Sequence, residues 1–224
     1  MSLGFRVLPL TRRVDAGLLA RFSKLPVANV SDSMARMFAG GASLRPMHAG
    51  GVLAGPAFTV KTRPGDNLMI HYALDAAQPG DVIVVDGGGD LTNALVGDLM
   101  ISYAVYRKLG GMVLFGAIRD SAEIRTGHFP VYAAGVTHRG PYKDGPGEVN
   151  VPIAIEGMVI EPGDLVLGDN DGVVAVPFDQ ATAVCALAEA KHAAETAQME
   201  KIRQGKNPRE WVQEALRRAG CEGV

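Results

Sequence analysis

Apolar residues along this chain fall into short unbroken runs and into helical repeats, and the two kinds alternate. Residues 81 to 86, Asp-Val-Ile-Val-Val-Asp, are entered through Pro79-Gly80 and left through Gly87-Gly88-Gly89, which predicts a buried strand. Met112-Val-Leu-Phe-Gly-Ala-Ile118 is a second such run. Between them Ile101, Ala104, Val105 and Leu109 recur at helical spacing, and Gly110-Gly111 supplies a stop. The unit is therefore read as strand, helix, parallel strand. Residues 11 to 40 read as helical, with Ser31-Asp32-Ser33 as a cap and Gly40-Gly41 as a stop. Residues 52 to 176 hold most of the strands. From about Phe178 to Gln204 the chain becomes alanine-rich and charged, with Val184, Leu187, Ala188 and Lys191 on one helical face. Trp211, Val212, Ala215 and Leu216 repeat that pattern after Asn207-Pro208, predicting a second, shorter helix.

Pro64-Gly65-Asp66, Pro79-Gly80-Asp81 and Pro162-Gly163-Asp164 recur as turn signals, with proline presetting one dihedral and glycine supplying the positive one. They read as repeated turn chemistry, not duplicated domains. Asp169-Asn-Asp-Gly172 predicts a hairpin turn; its acids are adjacent, unlike the alternating ligands of a calcium loop. Arg139 to Glu148, rich in Gly, Pro and charge, reads as a mobile loop that covers a site or makes subunit contacts.

Composition narrows the class. The chain has 224 residues, is 47% hydrophobic and carries a formal charge of −2, enough to bury a core as one domain, residues 1–224, without a basic surface for nucleic acid. Apolar stretches are interrupted before membrane-spanning length, so no membrane partner is expected. Cys185 and Cys221 have neither metal-ligand nor disulfide spacing, which points to a reducing cytoplasm.

The candidate chemistry lies at the ends of the central strands. Asp98 is followed, after twenty intervening residues, by Arg119-Asp120. In a strand-helix-strand unit the helix start and the second strand's end share one edge of the sheet, where ligands of open α/β sheets bind. Two carboxylates there suit a hydrated Mg²⁺ or Mn²⁺. Arg119 suits a substrate carboxylate, and free amides around Leu99 and Met100 offer a second anion cradle. Structural roles compete: Asp120-Ser121-Ala122-Glu123 is an acceptable capping box, and Asp98 complements a helix dipole. A dinucleotide loop at Gly87-Gly88-Gly89 is a weak match, because Thr92 stands where the fingerprint needs its last glycine. Lys61, the one candidate for a Schiff base, is a strand lysine of the kind that faces solvent. The five histidines show no metal spacing, and His71 alone is placed to line a pocket.

The runs Gly55-Pro-Ala-Phe-Thr-Val60, Asp66-Asn67, Pro79 to Asp86, Gly97-Asp98 and Gly116-Ala-Ile-Arg-Asp120 together resemble the RraA-like family, as do Val149-Asn-Val-Pro152 and Pro162 to Val174. The similarity spans about residues 25 to 205. It implies an α/β protein with the swivelling β/β/α fold, a core over about 25–177 and a C-terminal helical arm over about 178–220. That family includes class II 4-hydroxy-4-methyl-2-oxoglutarate aldolases, which also decarboxylate oxaloacetate, and non-catalytic regulators that bind ribonuclease E. The aldolases carry the Asp, twenty residues, Arg-Asp pattern that is intact here. By resemblance Asp120 is the direct metal ligand, Asp98 holds a metal-bound water, and Arg119 binds the substrate carboxylate and ketone. Gly97 and the amides of Leu99 and Met100 take the pyruvate carboxylate. A glutamate from a neighbouring subunit's C-terminal helix approaches the metal waters; Glu195 is the best match, with Glu189 and Glu200 as alternatives. The family assembles as homotrimers or as homohexamers.

Overall fold

The computed structural model describes residues 4–38, 40 and 42–224. In chain order it contains β1 (Phe5–Val7), α1 (Ala16–Phe22), α2 (Val27–Ser33), β2 (Arg45–Pro46), β3 (Leu53–Thr62), α3 (Leu68–Ala76), β4 (Val82–Asp86), β5 (Ala94–Val96) and α4 (Asp98–Tyr106). There follow β6 (Gly111–Ile118), α5 (Ser121–Thr126), β7 (Val131–Val136), β8 (Gly147–Val149), β9 (Ile153–Ile155), β10 (Met158–Ile160), β11 (Leu165–Asp169) and β12 (Gly172–Val176). A short 3-10 turn over Phe178–Gln180 then leads into α6 (Ala181–Arg203), and α7 (Glu210–Arg218) closes the chain. Both C-terminal helices fall where the helical repeats place them. No helix among the described residues is long and apolar enough to cross a membrane.

The centre of the main sheet is parallel, β3 beside β4, β4 beside β6 and β6 beside β7. β3 is long enough to take two antiparallel partners on its other edge. Leu53–Pro56 pair with β11, and Val60–Thr62 pair with β8. Strands covered on both faces need apolar side chains at every position, which is why β4 and β6 read as continuous runs. Ile83, Val85, Met112 and Leu114 face a core completed by α3, α4 and α5. Val82, Val84 and Val113 face the opposite core, under the β9–β10 hairpin. A third core holds α1, α2 and the first half of α6 against β11 and β12, around Phe22, Val30, Leu167 and Cys185.

The three Pro-Gly-Asp triplets are turns, as expected, with Gly65, Gly80 and Gly163 at φ +74°, +87° and +88°. Their aspartates do more than end a turn. Asp81 is 1% exposed, accepts the Gln78 amide at 2.9 Å and receives a two-pronged grip from Arg13 at 2.9 and 3.0 Å. Asp164 accepts the amides of Glu161 and Phe178 and pairs with Arg12. The adjacent Arg12 and Arg13 thus tie the N-terminal segment to two sheet turns. The hairpin at Asp169–Gly172 is also observed, and Asp169 accepts the Val27 amide at 2.9 Å.

Three local expectations are corrected. Ser31-Asp32-Ser33 ends α2 and does not cap a helix, whereas Asp15 caps α1 through the Leu18 amide. Helix α4 stops at Tyr106, and the backbone turns at Lys108, φ +59°, before Gly110 is reached. Of the expected Gly40-Gly41 stop, Gly41 lies outside the described residues. Residues Gly147 and Glu148 belong to β8, not to the loop before it.

Removing the Asp81 carboxylate leaves Arg13 and the Gln78 amide facing a buried gap. Asp81→Ala is expected to lower the folding free energy by about 3 kcal/mol in denaturant titration. A loss below about 1 kcal/mol contradicts this role.

Candidate active site at the β5–α4 and β6–α5 junctions

β4 pairs with β6 only as far as Asp86 opposite Phe115. The chain then leaves the sheet through Gly88 and Gly89, both at positive φ, and returns as β5 beside Ala117 and Ile118. This three-residue strand, absent from the sequence reading, aims the start of α4 at the end of β6. There the Arg119 amide donates to the Val96 carbonyl at 2.9 Å, and the Asp98 amide donates to Asp120 Oδ2 at 3.0 Å.

That contact needs an unusually close approach. A Cβ on Gly97 would run into the Asp120 carboxylate and lie 3.0 Å from the Arg119 Cγ and Nε. Asp120 itself adopts a left-handed backbone, φ +55° and ψ +38°, a conformation that costs a non-glycine residue about 1 kcal/mol or more. Its side chain makes no capping bond to α5, so the capping-box reading is not what this aspartate does. It reaches across to the neighbouring helix start instead.

Asp120 and Arg119 line a small cavity of about 170 Å³. The two side chains are 42% and 44% exposed, with Arg119 Nε 3.7 Å from Asp120 Oδ2, so both remain open to a ligand. Gly97, Leu99 and Met100 form the wall on the α4 side, and His71 and Asn67 the wall on the α3 side. Pro141 and Lys143 cover it from the loop. The expected cradle of two amides is reduced to one. The Met100 amide turns back to the Gly97 carbonyl at 3.1 Å, and among the described residues Leu99 N–H has no partner. Asp98 is tied to this site through its backbone amide, and the residue also lines the adjacent, larger groove between α4 and α5, about 630 Å³, with Ile124 and His128.

The covering loop is anchored by Asp66. This fully buried carboxylate accepts the amides of Leu68, Asp144 and Gly145 at 2.8–2.9 Å. Burial pushes its carboxyl up, but these amides and Arg63 outweigh that and hold it below its ordinary value. Lys143 is exposed and forms no ion pair among the described residues, so the cavity has two cations, Lys143 and the half-exposed Arg119 that lies beside Asp120. His71 is pushed below its ordinary value by burial first and by Lys143 second. Lys143, Asn67 and Pro141 were not among the sequence-derived site residues; Asn67 stands in a quoted family run, and Lys143 in the loop expected to cover a site.

The donor set is compatible with a hard divalent cation. Asp120 keeps Oδ1, and Asp98 keeps both oxygens, without a protein partner among the described residues. No three His, Cys, Asp or Glu side chains converge among the described residues. A cation here would therefore take most of its ligands from water, as Mg²⁺ tolerates. The three C-terminal glutamates are engaged within the protomer. Glu189 grips Arg21, Glu195 accepts from Asn29 at 2.6 Å and pairs with Lys191, and Glu200 pairs with Arg203. None of them lines the cavity of its own protomer. Lys61 is exposed, as a strand lysine of no catalytic role is expected to be.

This α/β arrangement, with its site at the strand ends, is that of a known family. Residues 27–175 match the family model described as RraA-like, Aldolase/RraA, and the chain belongs to that family. A relative from Halalkalibacterium halodurans, named "Putative 4-hydroxy-4-methyl-2-oxoglutarate aldolase", is 35% identical over 85% of this chain and 90% of its own length. A solved structure of an uncharacterized protein from Pseudomonas syringae pv. tomato superposes with a TM-score of 0.78 at 27% identity, covering 87% of this chain and 96% of that one. The RNA-processing inhibitor RraA of a Thermus species gives a TM-score of 0.63 at 30% identity, over 68% and 92%.

The His71 imidazole is expected to titrate below 6.5, so it is neutral at pH 7, and Lys143→Ala should move its midpoint upward. An NMR titration checks both. A midpoint at or above 6.5 in the unmodified protein contradicts the assigned environment.

Proposed function

We propose that this protein is a lyase, a class II aldolase that cleaves a 4-hydroxy-2-oxo acid, such as 4-hydroxy-4-methyl-2-oxoglutarate, to pyruvate and a second 2-oxo acid. It also decarboxylates oxaloacetate and requires Mg²⁺ or Mn²⁺. The observation that carries this reading is the junction itself: Asp120 is held in a strained backbone with one carboxylate oxygen free, beside a half-exposed arginine and an open amide.

Each group has a distinct task. Arg119 holds the substrate carboxylate through charge-assisted hydrogen bonds, and Leu99 N–H donates to the same anion at the start of α4. Asp120, through its free Oδ1, would hold the cation, and Asp98 would act on it through water. When bound, the divalent cation supplies Lewis acidity that stabilises negative charge developing on the 2-oxo group as the carbon-carbon bond breaks. Asp98, whose carboxylate has no other duty, orients the water that takes the proton from the cleaved hydroxyl. Aldol cleavage and loss of carbon dioxide from oxaloacetate leave the same three-carbon anion, so one site serves both. Lys143 and Pro141 close the cavity from the loop.

The assembly is a homotrimer, or a hexamer of two trimers, with the C-terminal arm lying on a neighbouring subunit. Supporting this, α7 buries none of its residues, and Trp211, Met199 and Ile202 on the arm are exposed, as are Leu99 at the cavity and Tyr106 at the far end of α4. Glu195 then approaches a neighbour's site.

The test is pyruvate release from 4-hydroxy-4-methyl-2-oxoglutarate and from oxaloacetate, with Mg²⁺ and again with chelator. Release is expected to be chelator-sensitive, and Asp120→Ala should lower kcat/KM by about 10³-fold without altering the fold. An Asp120→Ala protein with near-normal turnover sinks the mechanism. A folded protein that releases no pyruvate from either acid favours the second reading, a non-catalytic regulator of ribonuclease E, which draws on the likeness to RraA.

A further inference from the structure

We propose that Lys143 makes the site selective for dicarboxylic acids: its ammonium group holds a second substrate carboxylate, carried on C4, while Arg119 holds the first. The inference rests on the reading of the cavity as one for a 4-hydroxy-2-oxo acid, and it adds the residue that tells a diacid from a matched acid with one carboxylate.

An exposed lysine on a loop is ordinarily a solvated surface charge and nothing more. Lys143 is placed differently, because it lines the small cavity that holds Arg119 and Asp120. The backbone on both sides of it is fixed. The Arg139 and Gly140 carbonyls accept from the Ala94 amide at 2.8 Å and from Asn93 Nδ2 at 2.6 Å. The Tyr142 amide donates to the Gly65 carbonyl at 2.8 Å, and the Tyr142 carbonyl accepts the Asn67 amide at 3.0 Å. Asp66 then holds the amides of Asp144 and Gly145. The charge on Lys143 is also uncompensated. Asp66 and Asp144, the acids that hold or adjoin this stretch, face Arg63 at 3.2 and 3.9 Å, and Lys143 has no hydrogen bond or ion pair among the described residues.

The two cations are spaced for one ligand. A Cβ added at Gly140 would lie 3.2 Å from Arg119 Nη1, so the guanidinium rests against the start of the same loop. Lys143 follows three residues later, a length of chain that spans about 10 Å at most. The flexible four-carbon stem of a lysine closes the rest of that gap toward a bound anion. Burial first and the Lys143 charge second push His71, on the α3 wall, below its ordinary value, so this charge is felt within the cavity and not in solvent alone. A neutral His71 adds no third cation. An acid with one carboxylate answers Arg119 and leaves Lys143 unmatched, whereas a dicarboxylate matches both. A charge-assisted hydrogen bond is roughly twice as strong as a neutral one, so an uncharged group of the same shape does not replace the second carboxylate.

The test uses the full-length protein with Mg²⁺ and three ligands that cannot be cleaved, since none has a 2-oxo group: 2-hydroxyglutarate, its 5-amide and 2-hydroxypentanoate. All three keep the first carboxylate and the hydroxyl beside it. The amide matches the second carboxylate in shape without its charge, and 2-hydroxypentanoate carries a methyl group there. Titration calorimetry is expected to show 2-hydroxyglutarate binding about tenfold more tightly than the other two. In Lys143→Met, which keeps an unbranched stem and removes the charge, that preference should fall below about threefold while affinity for the 5-amide persists. Lys143→Arg should retain the preference. A wild-type protein that binds the 5-amide as well as the diacid overturns the proposal, as does a preference that survives in Lys143→Met. Loss of all binding in Lys143→Met without recovery in Lys143→Arg overturns it too. Pyruvate release is measured on the same preparation. Preference without release keeps the diacid site and sinks the aldolase reading, and release without preference does the reverse.

Discussion

One hydrogen bond, from the Asp98 amide to the Asp120 carboxylate, joins the two junctions on which this site is built. It forms only because Gly97 has no Cβ to obstruct it and because Asp120 accepts a left-handed backbone. The strain is offset by the surroundings: β5 is held in the sheet by β6, and the Arg119 amide is fixed to Val96. The same bond leaves one Asp120 oxygen free and turns the first turn of α4 toward the cavity. A helix start and a strand end that meet in this way place an open amide, a guanidinium and a carboxylate within reach of one small anion.

Burial on both faces made the centre of the fold readable. β4 and β6 have no polar face to show, so their sequence is a plain apolar run between turn signals, and the strand-helix-strand unit followed from it. The three Pro-Gly-Asp turns were equally local, since each depends on its own proline and glycine. What escaped depends on partners remote in the chain. The start of α2 takes its capping group from Asp169, 142 residues away, so nothing near Val27 announces it. β5 is three residues long and exists because β4 ends before β6 does, a fact of register that no periodicity records.

The site divides in the same way. Asp98, Arg119 and Asp120 were legible as residue types at the right spacing, and the structure brings their backbones together. That Asp98 and Asp120 line different grooves was not legible, because one opens α4 and the other precedes α5. The one usable amide at Leu99 emerged only once the Met100 amide was seen to turn back on Gly97. Lys143 enters through the loop pinned by Asp66, whose buried carboxylate accepts the amides of Asp144 and Gly145. Asn67 stood only in a run shared with the family, and its place in the cavity wall became visible with the fold.

The central claim is that the Asp98–Asp120 junction holds a divalent cation and a 2-oxo acid together. Mn²⁺ binding followed by electron paramagnetic resonance, with and without pyruvate, tests it most directly. The account predicts stoichiometric Mn²⁺ binding that pyruvate tightens and that Asp120→Ala abolishes. Mn²⁺ binding that is absent, indifferent to pyruvate or unchanged in Asp120→Ala contradicts it.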